Sequence, residues 1–393
     1  MFISKANQNI AEPIRVAVLG STGSVGSQTL EVIKSLPERF VLTALAANHN
    51  IEKLNQQIDQ YQPRIVGIST KQKIAAAKVH HVSQLFQGEK ALREVATHPD
   101  IDLVVIATSG TVALPVTLAA IKAHKEVALA SKEALVIGGE LIMATAKKYG
   151  VELRPIDSEH CALWQCLSGE KRRGIANLIL TASGGPFRDW SFKKIKQATP
   201  EQALQHPNWK MGPKVTIDSA SLINKGLEVI EAHWLFNQPY EKIQTVIHRQ
   251  SLIHSLVEFI DGSIKAQLAV PDMRLAIQFA LTYPQRLVSQ FERLDLTKIP
   301  SLTFEAPDLK RFPGLGLAYE AGKRGGTYPT VLVAADEVLV ELFLKKKIRF
   351  LDIPMILEKV LEKHQATSLS LDKIEEVIQW TRGMTDQLSR KSK

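Results

Sequence analysis

Two stretches lying far apart in the chain place carboxylates and polar groups where a metal ion and a phosphate could be held together: Asp157-Ser158-Glu159-His160, and Ser219-Ala220-Ser221-Leu222-Ile223-Asn224-Lys225-Gly226-Leu227-Glu228. Asp157 and Glu159 alternate just after an apolar run ending in Pro155-Ile156. At the carboxyl end of a strand both can point into one crevice once the chain bends. Carboxylate oxygens without thiolates select a hard ion, Mg2+ or Mn2+. A solvated acidic turn is the plainer alternative, and His160 reads as a hydrogen-bonding or packing residue. In the second stretch, Asp218-Ser219-Ala220-Ser221 resembles a helix start with side chains able to cap free amides. On the helix expected after it, Asn224, Lys225 and Glu228 share one face. An ordinary Lys-Glu surface pair would account for part of this. A serine at a helix start, an amide, a lysine and a carboxylate can together hold a phosphate at one end and a metal-bound hydroxyl at the other.

Three further motifs suit the same chemistry. The turn Gly20-Ser21-Thr22-Gly23-Ser24-Val25-Gly26 follows the first apolar run and opens a helix, so backbone amides and a positive dipole end can meet a phosphate. Thr181-Ala182-Ser183-Gly184-Gly185-Pro186-Phe187-Arg188 has a Ser-Gly-Gly turn that can wrap an anion with amides. His206-Pro207-Asn208-Trp209-Lys210-Met211-Gly212-Pro213 has the make-up of a mobile lid able to exclude water. The second strand ends in Ala46-Ala47-Asn48-His49-Asn50 and carries no carboxylate for ribose hydroxyls. That favours NADPH over NADH, with His49 able to assist a 2′-phosphate.

The elements that must position these residues are legible as a pattern. Short β-branched runs at 16–19, 41–46, 65–68, 103–107 and 126–130 alternate with amphipathic segments at 27–36, 51–61 and 133–148. The βαβα order predicts an α/β fold whose N-terminal part is a Rossmann-like, doubly wound parallel sheet. Pro284, Pro300, Pro307 and Pro313 punctuate a stretch of weak periodicity, and helical patterns follow at 330–347, 351–363 and 371–388. With 393 residues the chain is too long for one ordinary core. The net charge of +9 is compatible with anionic ligands, but the basic residues are scattered rather than gathered into a nucleic-acid surface. Their densest run, Lys345-Lys346-Lys347-Ile348-Arg349, reads as a solvated helix end. Two cysteines, Cys161 and Cys166, are too few for a disulfide framework and point to a reducing compartment. The polar N-terminus shows no secretory pattern, and the apolar stretch 103–121 is broken by Thr108-Ser109-Gly110-Thr111 and Pro115, so a cytoplasmic protein without a membrane span is expected.

Taken jointly, these segments closely resemble the 1-deoxy-D-xylulose 5-phosphate reductoisomerases. The resemblance runs over about 15–349 and rests on 20–26, Ala130-Ser131-Lys132-Glu133, 155–160, 183–188, 206–212, 218–231 and 267–274. It implies three parts: an NADPH-binding domain (1–156), a central α/β catalytic domain (157–283) with its lid at 206–213, and, after a linker (284–312), a helical C-terminal domain (313–393). The implied reaction rearranges a ketose phosphate by carbon-carbon cleavage and rejoining, then reduces the aldehyde with NADPH to 2-C-methyl-D-erythritol 4-phosphate. By matching motif, Asp157, Glu159 and Glu228 would hold the Mn2+ or Mg2+ ion, and with Lys132 form the catalytic set. Ser158, Lys132 and Asn224 would orient substrate oxygens, with Glu159 and Glu228 also reaching the substrate. Ser183, Ser219, Asn224 and Lys225 would hold the phosphate, with His206 beside them and Trp209 closing the lid. Thr22, Gly23, Ser24, Val25, Glu133 and Gly212 would contact the cofactor. So would Asn48, His49, Asn50 and Ser131, although this chain departs there from the family's Gly-Lys-Asn triplet and from its Asn before the Lys-Glu pair. The chain departs again at Val333-Ala334-Ala335-Asp336-Glu337, where relatives read Asn-Ala-Ala-Asn-Glu. Relatives are homodimers, which is the partner expectation here beside the sugar phosphate.

Two other readings compete. A semialdehyde dehydrogenase shares the glycine spacing but needs a nucleophilic cysteine, for which Cys161 would have to serve. A non-catalytic NADP-binding sensor would have lost its carboxylates, and all three are present.

Overall fold

Val16, Ala17, Val18 and Leu19 expose no surface, and an apolar run buried on both sides is what a parallel strand covered by helices requires. In the computed structural model, which describes residues 12–70, 81–209 and 211–391, this run is β1 (Ile14–Leu19). Lys210 of the expected lid and residues 1–11 of the expected first domain lie outside the described residues. Six more strands join β1 in one parallel sheet: β2 (Phe40–Ala47), β3 (Ile65–Ile68), β4 (Gln84–Gln87), β5 (Leu103–Ile106), β6 (Glu126–Leu129) and β7 (Leu153–Pro155). Their order is β4-β3-β2-β1-β5-β6-β7. The order reverses between β1 and β5, so the carboxyl end of β1 opens onto a crevice at a topological switch point.

Five of these strands coincide with the predicted runs. β4 was not anticipated: Gln84-Leu85-Phe86-Gln87 is an edge strand, largely exposed and polar at both ends, and an edge need not carry an apolar run. The helices Ser24–Ser35, Ile51–Tyr61 and Lys132–Tyr149 fall where amphipathic spacing places them.

A second sheet has four strands, β8 (Ile175–Ala182), β9 (Ile243–Ile247), β10 (Ile253–Phe259) and β11 (Ile264–Leu268), in the order β11-β10-β8-β9. β10 runs antiparallel to β8 and β11, and β8 parallel to β9. The helix Ser158–Leu167, entered directly from β7, packs on β10 and β11 and thereby joins the two sheets. Between Tyr283 and Gly314 the described chain holds only a short turn of helix, Leu296–Lys298, and one bridge, Ile247 to Glu305.

The C-terminal region is helical. Tyr328–Leu344, Asp352–Lys363 and Leu371–Lys391 match the predicted helices, and Gly314–Arg324 is additional. Its three glycines lower intrinsic helix propensity, which hid it, but it packs on the helix Ile223–Phe236. Among the described residues no helix is long and apolar enough to cross a membrane.

Candidate active site

Strand register brings the first pair of functional side chains together. β6 and β7 are parallel neighbours with Leu129 opposite Pro155, so the residues just beyond their carboxyl ends must meet. Lys132 opens one helix there and Asp157 caps the next, accepting from the Ser158 amide at 3.1 Å. Lys132 Nζ consequently lies 2.6 Å from Asp157 Oδ2. Ser158 Oγ donates to Glu159 Oε2 at 2.6 Å, which turns the second carboxylate of the motif toward the same side.

The other half of the site comes from two helices joined by a tight elbow. Asp218-Ser219-Ala220-Ser221 is not a helix start, as the sequence suggested, but the last turn of the helix Pro213–Ser221. Leu222 then adopts a left-handed conformation (φ +60°), and the helix Ile223–Phe236 begins at once. Of the expected caps only Ser221 serves, its hydroxyl accepting from the Ile223 amide at 3.3 Å, while Asp218 is buried against Lys214. The elbow sets Ser219 from one helix beside the first turn of the other. Past it, Asn224 and Lys225 meet Glu228 as their spacing predicts: Asn224 Nδ2 donates to Glu228 Oε1 at 2.5 Å, and Lys225 Nζ donates to Glu228 Oε2. This helix packs against Lys132–Tyr149, and the two halves close through Lys132 Nζ, 2.9 Å from Glu228 Oε1 and 3.0 Å from Asn224 Oδ1.

The result is a group of three carboxylates, Asp157, Glu159 and Glu228, each offering an oxygen within 4.8 Å of the others. Two ammonium groups offset part of their charge: Lys132 pairs with Asp157 and Glu228, and Lys225 with Glu159 (2.9 Å) and Glu228. Burial works against both lysines, but the adjacent carboxylates outweigh it and raise their pKa values. All-oxygen donors at this separation, with charge in excess of the two lysines, fit a hard divalent cation. His160 lies behind the group: its Nε2 donates to the Glu228 carbonyl at 2.8 Å, and burial lowers its pKa.

At the other end of the cleft, β8 runs into the Ser-Gly-Gly turn. Gly185 has φ +69°, and a Cβ on it would lie 2.6 Å from the Ser219 carbonyl oxygen, so only glycine lets this turn approach the elbow. Ser183 and Ser219 are thereby gathered on one side. His206 Nδ1 accepts from the backbone amides of Asn208 (3.2 Å) and Trp209 (2.9 Å), which leaves the ring proton on Nε2, 2.9 Å from Ser183 Oγ. Burial, aided by the nearby Arg188, pushes the imidazole pKa down to about 4, so the ring is neutral at pH 7. Since Ser183 Oγ also accepts from the Gly185 amide (3.1 Å), its own proton is left to donate to an anion.

These groups line one cleft of about 880 Å3, within the range of small-molecule sites. It takes in every metal and substrate residue named from the sequence, including Lys132, Ser158, Trp209 and Asn224. Sequence reasoning missed Asn208 and His254 in the lining. Asn208 Nδ2 ties the lid to the Arg249 carbonyl and to Ser251 Oγ, each at 2.7 Å, and His254 lies with its ring 5.9 Å from that of Trp209. His254 follows the apolar Ile253 in a strand, where its only signal was a polar residue at a buried position.

Of the expected cofactor residues, Ser24, Val25 and Gly212 line the cleft. Thr22 and Gly23 stand on the turn after β1, with Gly23 preceding the helix Ser24–Ser35. Asn48, His49 and Asn50 are exposed at the end of β2, where Asn50 caps the helix Ile51–Tyr61. Ser131 and Glu133 are buried, do not line the cleft, and are bonded to each other at 3.2 Å.

Family models match most of the chain. The model described as 1-deoxy-D-xylulose 5-phosphate reductoisomerase matches residues 16–139, and two models for C-terminal domains of that enzyme match 153–236 and 268–384. The enzyme of this name from Heliobacterium modesticaldum is 52% identical over 356 residues, covering 89% of this chain and 91% of its own. The chain belongs to the 1-deoxy-D-xylulose 5-phosphate reductoisomerase family. The enzyme named 1-deoxy-D-xylulose 5-phosphate reductoisomerase 1 from Bacillus thuringiensis is 50% identical, over 95% of this chain and 98% of its own. The solved structure of the reductoisomerase from Zymomonas mobilis in complex with NADPH superposes with a TM-score of 0.89 at 42% identity, over 96% and 99% of the two chains. A reductoisomerase in complex with NADPH, fosmidomycin and magnesium superposes equally well, at 0.89 and 38% identity over 96% and 98%. The dehydrogenase alternative also fails on its own chemistry. Cys161 is wholly buried, donates to the Ala276 carbonyl, and burial pushes its thiol up to about 12, the reverse of what a reductoisomerase's rival would need in a nucleophile.

Proposed function

We propose that Asp157, Glu159 and Glu228 hold one divalent ion and that the sugar phosphate lies across the cleft from this ion to Ser183. The observation that carries the reading is the convergence of three carboxylates from two distant segments within 4.8 Å. The protein is an NADPH- and metal-dependent reductoisomerase. It rearranges 1-deoxy-D-xylulose 5-phosphate and reduces the product to 2-C-methyl-D-erythritol 4-phosphate in the non-mevalonate isoprenoid pathway.

The chain's own residues divide the work. Ser183, Ser219, Asn224 and Lys225 bind the phosphate, His206 aims the Ser183 proton at it, and Trp209 covers the substrate to exclude water. Lys132, Ser158 and Asn224 orient the substrate oxygens at the other end. Lys132 is held in place for this by its bonds to Asn224, Asp157 and Glu228. The divalent ion, Mg2+ or Mn2+, supplies Lewis-acid stabilisation of negative charge on the substrate oxygens. NADPH supplies the hydride. The turn 20–26, with Thr22, Gly23, Ser24 and Val25, would receive its pyrophosphate, and Asn48, His49, Asn50, Ser131, Glu133 and Gly212 would make its remaining contacts. The same reading divides the chain at 156, 283 and 312, pairs two copies as a homodimer, and sets the enzyme in the cytoplasm.

NADPH oxidation followed by absorbance with 1-deoxy-D-xylulose 5-phosphate tests this. Consumption is expected only when substrate and Mg2+ or Mn2+ are both present, and should stop with a chelator. Folded, NADPH-binding protein that consumes none under these conditions would refute the assignment.

A further inference from the structure

The helix after β2 reaches back over the dinucleotide turn and carries a cation, Lys53, that touches it. Ser21 Oγ donates to Gln57 Oε1 at 2.8 Å, and Gln57 Nε2 returns a bond to the Ser21 carbonyl at 2.8 Å, both buried. This pair locks the helix Ile51–Tyr61 against the turn. Lys53 stands four residues earlier, on the same face and nearer the open rim. Its Nζ donates to the Thr22 carbonyl at 3.0 Å, so the ammonium bridges the loops that follow β1 and β2.

A dinucleotide laid on the turn puts its adenosine ribose between those two loops. An enzyme selecting NADH presents a carboxylate there to the ribose hydroxyls, and residues 46–51 contain none. Lys53 has three protons and spends one on Thr22, leaving two. It sits in the first turn of its helix beside Glu52, which offsets the dipole's repulsion of a cation, and among the described residues no ion pair to Lys53 is formed, so its charge can meet a bound anion. Nearby, Asn48 donates to His49 Nε2 at 2.9 Å, leaving the His49 Nδ1 proton as a second donor on the same loop.

We propose that Lys53 receives the 2′-phosphate of NADPH and is the residue by which this chain separates NADPH from NADH. Lys53 has this role only if the turn holds the dinucleotide, as proposed above. The pyrophosphate is left to the turn and to the helix Ser24–Ser35, so losing Lys53 should cost the phosphorylated cofactor alone.

Dissociation constants for NADPH, NADH and adenosine 2′,5′-bisphosphate, measured by calorimetry on the full chain and on Lys53→Gln and Lys53→Arg, decide the matter. The wild type should prefer NADPH. Lys53→Gln should weaken NADPH and the bisphosphate by about 10- to 100-fold, the scale of a lost hydrogen bond to a charged group, and leave NADH unchanged. Lys53→Arg should restore most of the loss. A wild type that prefers NADPH with a Lys53→Gln variant of the same preference overturns the role of Lys53 alone, and so does an equal loss for NADPH and NADH. A wild type with no preference overturns the cofactor reading together with it.

Discussion

His206 Nε2 lies 2.9 Å from Ser183 Oγ while its Nδ1 takes the amides of Asn208 and Trp209, so one neutral imidazole joins the lid to the phosphate end of the cleft. Its pKa is depressed on folding, from the usual value near 6.5 to about 4. The unfolded chain therefore takes up a proton first as pH falls. The stability that His206 contributes is fully present above 6.5, declines as pH falls from there, and is gone below about 4. Urea midpoints from pH 8 to 4 should show a steeper decline for the wild type than for His206→Gln; parallel curves would contradict it.

Glu228 accepts from Lys132, Asn224 and Lys225, and it is the one carboxylate of the three carried by the helix beyond the elbow. Glu228→Gln should preserve the fold and NADPH affinity while lowering kcat by roughly 1000-fold or more, the equivalent of several kcal/mol of lost Lewis-acid stabilisation. Turnover like the wild type would remove Glu228 from the site. Titration of the variant with Mn2+ by calorimetry gives an independent reading of the lost ligand.

Lys214 Nζ stands 2.6 Å from both Asp218 and Asp336, tying the helix that carries Ser219 to the helix Tyr328–Leu344. Burial, then the neighbouring Asp336, raises the Asp218 pKa well above its ordinary value. Lys214→Met leaves two buried carboxylates facing each other and should cost about 3–5 kcal/mol. Urea unfolding at constant m-value measures it, and a change below about 1 kcal/mol, the range of an exposed pair, would show that the tie is solvated.

At Gly26 an added Cβ would lie 2.2 Å from the Gly20 carbonyl oxygen, backbone that cannot swing aside. Gly26→Ala should destabilise by about 1–3 kcal/mol through forced displacement of the turn, and weaken NADPH and NADH together. Unaltered cofactor binding would mean that the dinucleotide does not rest on this turn.

Cys161 should be dispensable for chemistry. Cys161→Ala is expected to keep kcat, and the native protein to resist iodoacetamide at pH 8, where a thiol held at about 12 is protonated. Inactivation matching the modification of Cys161 would revive a cysteine mechanism.

Much of this protein could be read in one dimension. A period of two in strands and of 3.6 in helices records which side of a local element is buried, so most of the N-terminal sheet and three of the C-terminal helices were visible. Asn224, Lys225 and Glu228 were visible as a unit because a helix face is also local. Where local signal and burial part company the reading failed: β4 is an exposed edge, the helix Gly314–Arg324 is rich in glycine, and Asp218-Ser219 has the composition of a helix start yet ends a helix.

What the amino-acid order settled, then, is the inventory: which segments are strands and helices, and which residue types could hold a metal or a phosphate. Their meeting was decided in three dimensions. Lys132 and Asp157 come together because β6 and β7 are neighbours, and Glu228 reaches them because its helix turns at Leu222 and packs on Lys132–Tyr149. The tautomer of His206 likewise depends on amides of a folded lid, and the pairing of Lys53 with Thr22 on a crossing between two βα units. Contacts between residues tens of positions apart are fixed by strand order and helix packing, which leave no periodicity in the chain, and so they appear only once the core is assembled.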